Sequence, residues 1–489
     1  MDVIVNGGGI SGLMAALAFQ QDGHRVTVVE RDANPVPPTP SEAFTSWDRQ
    51  GAPHVRHSHA FLARLRQLLQ ERQPEVLRGL FDAGCTELTL AEMWPPAITD
   101  RSPLPGDEEL VLLLCRRITF EWVLRRIVSQ QSAITWRTAA VSGLRSSRAE
   151  AGIPVVDGVV LDNGQVVSGD LVVEAGGRRS AIMRYLAELG TVAPSESIHE
   201  CGIVYYTRFY AFHDGAIAPE GPANGDVGYV KFGAFRGDNR TYSITLATWG
   251  EDRDMRRVAR PEIFDEVCQR LPSLAPWVAP TLGEPITGVE VMAKLRNRRR
   301  HFVVDDQPVV LGLAVIGDAA ICTNPLYGRG CTTGSVHAHL AADAYKAHRS
   351  ETTVDLDGFA RQLHQDTVSE IEPFYRSAVA QDGDSRATAV ALAAASGETD
   401  GAVAAPAEDP MRAIVLDGLM PALRTDPVVF RAFMRAFNLL DVPEAMMGKA
   451  DVIARVIATY EARADRPAPA SLGPPRRDMI KYVDELLAG

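Results

Sequence analysis

The chain opens on the apolar run Val3-Ile4-Val5, passes through glycines at 7, 8, 9 and 12, and continues as Leu13-Met14-Ala15-Ala16-Leu17-Ala18. This order predicts strand, tight turn and helix. Arg25 to Val29 predicts a second strand, ending in Glu30, and Leu313 to Ile316 a buried strand followed by a polar, glycine-rich loop and another helix. Between 201 and 250, the aromatic and β-branched runs Cys201 to Phe212, Asp226 to Phe235 and Thr241 to Trp249 are separated by turn residues and predict an antiparallel sheet. Beyond Tyr345 the period becomes helical. Asp357 to Phe374, Pro410 to Leu423, Val428 to Leu440 and Lys449 to Arg463 are amphipathic, and the Ala/Gly/Pro stretch near 394 to 408 is predicted to be a mobile connection.

Composition narrows the function classes. The 489 residues are 46% hydrophobic and 23% charged, which suits a folded chain of two or three units. The net charge of −12 disfavours nucleic acid and anionic lipid as partners. Cysteines 85, 115, 201, 268, 322 and 331 fall in no CxxC or CxxH spacing, so no metal site and no disulfide framework is expected. No long apolar run and no signal peptide is visible, so the expectation is a cytoplasmic, non-integral protein whose functional chain begins at Met1.

Gly7, Gly9 and Gly12 fit G-x-G-x-x-G in its proper strand–turn–helix setting. One glycine permits the turn, one lets a pyrophosphate approach the backbone, and one lets helix and strand pack. Ile10 and Ser11 lie in the same turn, where unpaired N–H groups receive phosphate. Glu30, with Arg31 beside it, stands where an acid accepts from ribose hydroxyls. A dinucleotide site follows, without a choice between NAD and FAD.

The choice comes from residues 309 to 346, with Gly317-Asp318, Asn324-Pro325-Leu326-Tyr327-Gly328-Arg329-Gly330 and Cys331. This segment resembles the GD motif of group A flavoprotein monooxygenases, the p-hydroxybenzoate hydroxylase-like superfamily. The resemblance covers about 1 to 345. It implies that Asp318 bonds the ribityl chain of FAD and that backbone N–H groups after Pro325, through Gly328, Gly330 and Cys331, face the flavin ring. The segment Glu174-Ala-Gly-Gly-Arg-Arg-Ser180 is similar to the family's DG motif, but Gly176 stands in place of the Asp and Arg184 comes one residue late. Arg116 to Arg125 is similar to the family's Arg-x-x-x-Glu helix, which would turn Arg117 to the FAD phosphates, while its residues alone also read as a basic face with Glu121 and Arg125 paired. Trp136 to Leu144 resembles the strand that meets adenine at Val141. Trp47 to Leu62 resembles a segment of polyether-type flavin epoxidases and related hydroxylases, which would place Arg49 near the flavin. His54, His57 and His59, lacking acidic partners, suit a helix-capping loop better than a metal.

The resemblance implies an α/β fold: a Rossmann-like, GR2-type FAD-binding domain (1–184 and 285–345) with an inserted antiparallel substrate sheet (185–284); the helical C-terminal region (346–489), read from its period alone, is expected to close the cavity or form a homodimer surface. Lining candidates are Tyr205, Tyr206, Arg208, Tyr210, Lys231 and Phe235, together with His57, of which alternation turns about half away. Lys294 to Arg300, five basic residues in seven, reads as a solvated strand-flanking loop. The activity implied is a monooxygenase holding FAD non-covalently. NAD(P)H reduces the flavin, O2 adds to give the C4a-hydroperoxide, and one oxygen passes to a bulky, hydrophobic secondary metabolite by epoxidation or hydroxylation. Arg49, Pro325 and Gly330 support the flavin edge. An alkene reductase of the geranylgeranyl type and a flavin-bound cyclase or isomerase remain open. A halogenase does not fit, because no two tryptophans lie two residues apart.

Overall fold

The computed structural model describes residues 1–221, 223–395, 410–467 and 471–488. Most of the expected connection near 394 to 408 lies outside them.

Five parallel strands form the central sheet among the described residues: Asp2–Asn6 in the middle, Arg25–Glu30 and Ile134–Thr138 on one side, Leu171–Glu174 and Leu313–Val315 on the other. The order 3-2-1-4-5 puts the topological switch at the carboxyl end of Asp2–Asn6, where doubly wound sheets bind ligands. Helices Ile10–Gln21, Arg117–Gln130 and Gly330–Ala347 cover one face, burying Leu13, Phe19, Phe120, Leu124 and Tyr345 in one core.

A six-stranded sheet stands against this unit. It is built on Ile203–Phe212, Val230–Arg236 and Thr241–Trp249, all antiparallel, with the short strands Asn224–Asp226, Gly283–Pro285 and Glu290–Met292 at its margins. Its far face packs Tyr206, Phe232, Tyr242, Ile244 and Leu246 on helices Pro261–Gln269 and Arg476–Ala488. The last of these helices is absent from the sequence-based expectation. Its Met479 and Val483 complete the core, and Arg476 pairs with Asp252 at 2.7 Å.

Two expectations are corrected. Trp136 to Leu144 is two strands in two sheets, since Ile134–Thr138 ends the parallel sheet and Val141–Glu150 opens a separate antiparallel one. Residues 296–301 are a strand, paired with Ser195–Glu200 and Ile321–Cys322, rather than a solvated loop. Arg299 and Arg300 are buried and neutralised by Glu372 and Glu196. A basic run reads as solvated only when its acidic partners, here far off in sequence, are left out of account.

The expected helix 357–374 is instead Leu356–Glu370 followed by the longer Glu372–Ala395. No described helix is long and apolar enough to cross a membrane.

Candidate active site

The three motif glycines do three different things. Gly7 has φ +113°, and a Cβ there would stand 2.5 Å from the Ala175 carbonyl oxygen. A Cβ on Gly12 would collide with the Gly7 carbonyl oxygen, whereas one on Gly9 would meet nothing within 4 Å. Gly9 is therefore the open position, at the N-cap of a helix with no side-chain cap. The first-turn N–H groups, Ile10 and Ser11 included, have no intrahelical carbonyl to reach and are available to an electron-rich group. Ser11 also wedges between Gly317 and Gly334, each of which would clash with its Oγ if it carried a Cβ, so the glycine turn and the GD segment are locked together.

Beneath the turn lies a buried ionic network. Glu30 accepts from Gly8 N at 2.7 Å and Asp32 N at 2.9 Å. Arg49 donates to Glu121 at 2.5 Å and Asp32 at 2.6 Å, and approaches Glu30 at 3.4 Å. Arg117 pairs with the same Glu121 at 2.7 Å. Arg125 stacks on Trp136 with its guanidinium 3.8 Å from the ring centroid, and burial with repulsion by Arg49 pushes its pKa down to about 10. Glu121 has no exposed surface, and the two arginines that pair with it hold its carboxyl below the usual range against the cost of burial. Arg117 Nε and Arg125 Nη1 are buried without a partner among the described residues. Unpaired buried cationic donors beside an open helix N-terminus fit the phosphates of a dinucleotide. Arg49, expected near the flavin, has its guanidinium paired with carboxylates at the Glu30 end of the site. Arg31 is exposed nearby, and the Val141 carbonyl accepts from Tyr185 Oη at 2.6 Å.

On the other side of the switch point, Gly317 takes φ +56° and presents Asp318, half-buried, with no hydrogen bond to its carboxylate among the described residues. The Pro325–Tyr327 turn follows, capped by Asn324, which accepts from Leu326 N at 3.1 Å. Gly328 has φ +65°, and Gly330 starts the 18-residue helix. Cys331 lies beside Arg117, and burial pushes its thiol up to about 11, so it acts as a neutral apolar wall. The unusual Gly176 also has a physical reason. Buried Glu174 accepts from Gly176 N at 2.9 Å, and a Cβ on Gly176 would stand 2.5 Å from that carboxylate oxygen. Glu174 thus occupies the space that a side chain at 176 would need.

The antiparallel sheet meets the His57–Ser58 segment through a neutral polar surface. His57 Nδ1 pairs with Thr207 Oγ1 at 3.0 Å, and Ser58 Oγ bridges Ser243 and Thr245 at 2.7 and 2.8 Å. Burial depresses the pKa of His57 to about 4 and, with Arg117 nearby, that of His59 to about 3. Burial followed by Arg117 likewise lowers His54. All three imidazoles are neutral at pH 7. Among the described residues no cluster of His, Cys, Asp and Glu suits a metal ion.

Strand register sorts the lining candidates. Tyr205, Thr207, Phe209, Lys231, Phe235, Ser243 and Thr245 share the face turned to His57 and Ser58, and Lys231 is ion-paired with Asp226. Tyr206, Arg208 and Tyr210 are on the opposite face, Arg208 and Tyr210 both bonded to Asp265 of helix Pro261–Gln269. These three are corrected as substrate contacts, because side chains one residue apart in a strand face opposite ways. The sequence reading missed Asp382, Asn297 and Thr207. Thr207 was findable by alternation from Tyr205, whereas nothing local marks the other two.

Comparison with known proteins agrees with this geometry. Residues 2–109 match the family model described as FAD dependent oxidoreductase. The chain is 27% identical over 476 residues, 93% of each chain, to Protein Rv3254 of Mycobacterium tuberculosis. The structure of PqsL, a probable FAD-dependent monooxygenase from Pseudomonas aeruginosa, aligns with a TM-score of 0.57 at 16% identity, covering 80% of this chain and 96% of that one. A single-substitution variant of Klebsiella pneumoniae HpxO, complexed with FAD, aligns with a TM-score of 0.55 at 14% identity, covering 93% and 99%. Residues 2–109 are therefore similar to FAD-dependent oxidoreductases, in a fold like that of structures of FAD-dependent monooxygenases.

Proposed function

We propose that the protein is a monooxygenase that holds FAD non-covalently, is reduced by NAD(P)H, and transfers one oxygen atom of O2 to a bulky organic substrate. The observation that carries this reading is the convergence at one switch point of the open Gly9 turn, the half-buried Asp318 carboxylate, and a neutral surface made by His57 with Thr207 and Phe235 of the sheet. FAD, when bound, supplies the redox and oxygen chemistry.

The chain's residues do the rest. The first-turn amides with Arg117 and Arg125 take the phosphates, Glu30 the ribose end, and Asp318 the ribityl hydroxyls. The Pro325 to Gly330 loop and its helix N-terminus would offer backbone N–H groups to an electron-rich edge of the bound ring. The apolar and neutral groups of the sheet wall exclude water and leave no strong acid in the cleft. On this reading residues 1–184 and 285–345 hold the cofactor, residues 185–284 hold the substrate, and Phe235 and His57 touch it.

The deciding experiment uses 18O2 with an identified substrate. One labelled oxygen in the product, none from 18O-water, supports oxygen transfer. A saturated product formed anaerobically would make the protein an alkene reductase, and a product isomeric with its substrate, formed without NAD(P)H, a cyclase or isomerase.

A further inference from the structure

The C-terminal helices have no part in the reading above, yet one of them holds the flavin-side loop. Asp382, in the long helix Glu372–Ala395, collects three donors on one carboxylate. Asn324 Nδ2 reaches Oδ1 at 2.7 Å, Tyr327 Oη reaches the same oxygen at 2.8 Å, and Asn297 Nδ2 reaches Oδ2 at 2.7 Å. Two of these donors belong to the loop between Cys322 and Gly330. The third, Asn297, uses its own Oδ1 to accept from Asn324 N at 2.7 Å. Asn324 Oδ1 then accepts from Leu326 N at 3.1 Å and from Tyr205 Oη, in the antiparallel sheet, at 2.7 Å. Arg329, at the far end of the loop, donates to the Phe374 carbonyl of the same helix at 2.9 Å.

Each amide in this chain is oriented by its partners: an oxygen faces donors and an NH2 faces carboxylate at both Asn297 and Asn324. The arrangement links four elements, namely the sheet through Tyr205, the strand Arg296–His301 through Asn297, the loop, and the helix through Asp382. A fixed set of donors is worth more to an incoming charge than a mobile set, because no reorganisation is needed when the charge appears.

We propose that Asp382 is a positioning residue that fixes the backbone of residues 324–328 for its approach to the flavin, with Tyr205 tying the same loop to the substrate sheet. This rests on the FAD reading. Asp382 touches neither cofactor nor substrate. It acts through Asn324 and Tyr327.

The test compares wild type, Asp382→Ala, Asp382→Asn and Tyr205→Phe in two measurements. Amide hydrogen exchange on the cofactor-free protein follows the peptide spanning 323–330. Asp382→Ala should speed exchange at Leu326 and Gly328 at least about tenfold, while the peptide spanning helix Ile10–Gln21 keeps its protection. Asp382→Asn should do the same to a smaller degree, since its NH2 group faces that of Asn297, and it serves in place of the alanine variant if that fails to fold. Tyr205→Phe removes one donor and should move exchange in the same direction by the least.

The second measurement equilibrates the FAD-loaded proteins with a dye of known potential. Asp382→Ala should lower the ratio of reduced to oxidised flavin at least about threefold at fixed dye ratio, with FAD still retained. Unchanged loop exchange in both Asp382 variants would overturn the proposal. Faster exchange with an unmoved flavin equilibrium would overturn its flavin half, leaving a merely structural anchor. Wild type that takes up no FAD would sink the cofactor reading and the flavin half with it, while the exchange data still decide whether Asp382 holds the loop.

Discussion

The two sides of the candidate site, its walls, are held by opposite kinds of chemistry. On the glycine-turn side, three arginines and three carboxylates (Arg49, Arg117, Arg125, Glu30, Asp32 and Glu121) are packed almost out of reach of solvent. Apart from the Lys231–Asp226 ion pair, the contacts described on the sheet side are neutral: imidazole to hydroxyl, hydroxyl to hydroxyl, and ring to ring, as between Phe44 and Phe209 at 5.0 Å. The charged wall balances its charges within itself yet leaves two donors over, which suits an invariant anionic ligand such as a pyrophosphate. The neutral wall has no such commitment, so a change of residue alters its shape without stranding a charge.

The comparison breaks most severely if the charged network is opened. Glu121→Ala would leave Arg49 and Arg117 facing each other with one shared carboxylate removed. Breaking a buried pair by deleting one partner costs about 3–5 kcal/mol, so urea unfolding should show a loss of that order. A loss below about 1 kcal/mol would mean that water or a shift of Asp32 satisfies the arginines.

The glycines divide the same wall into support and contact. Gly12→Val should destabilise the fold by about 3 kcal/mol, because its side chain overlaps the Gly7 carbonyl. Gly9→Val should fold nearly as well as wild type and yet take up no FAD, because its side chain occupies the approach of the phosphates. Equal thermal unfolding of the two variants, or FAD retention by Gly9→Val, would reject this division. Asp318→Ala belongs beside them, with FAD affinity reduced about tenfold to a hundredfold for the loss of a buried hydrogen bond.

These residues also show what was legible in the sequence. The glycine turn, the second strand with Glu30, the Gly317-Asp318 segment and the three long antiparallel runs all rest on rules acting within about twenty residues, and each element is present in the structure. Asp382 and Asn297 are positioned by contacts 58 and 27 residues from Asn324, and no spacing rule reaches that far. Arg299 and Arg300 were misread for the same reason. Tyr206, Arg208 and Tyr210 fail differently: the strand was legible, but which of its two faces meets the cleft depends on where the sheet docks.

Acid separates the walls. The ordinary histidine pKa of 6.5 falls to about 4 at His57 on folding. The unfolded chain therefore binds more protons below pH 6.5, and stability present above that pH is lost as the pH falls toward 4. The loss at pH 5 relative to pH 7 is about 2 kcal/mol from this residue. Glu121, held low by its arginines, stays ionised over the same range, so the charged wall keeps its pairs. Urea midpoints at pH 7 and pH 5 should converge by that amount in His57→Gln. An unaltered pH dependence would place the acid-sensitive group elsewhere.

The smallest expected effect tests the assignment of faces, and it does so by contrast within one strand. Tyr205 and Tyr206 are neighbours in sequence, both buried, and each becomes Phe by loss of one oxygen. Tyr205 Oη bonds Asn324 at 2.7 Å on the cleft side, whereas Tyr206 packs among Tyr210, Tyr242 and Leu246 on the far side. Removing the Tyr205 hydroxyl takes one of the two donors from Asn324 Oδ1 and leaves it Leu326 N, at a cost of about 1 kcal/mol. Removing that of Tyr206 leaves the cleft untouched, and any cost should appear in global unfolding alone. In FAD-loaded protein, Tyr205→Phe should therefore shift the visible flavin spectrum while Tyr206→Phe leaves it superimposable on wild type. The reverse pattern would mean that the sheet docks by its other face, and Phe235 and His57 would lose their place at the substrate along with it.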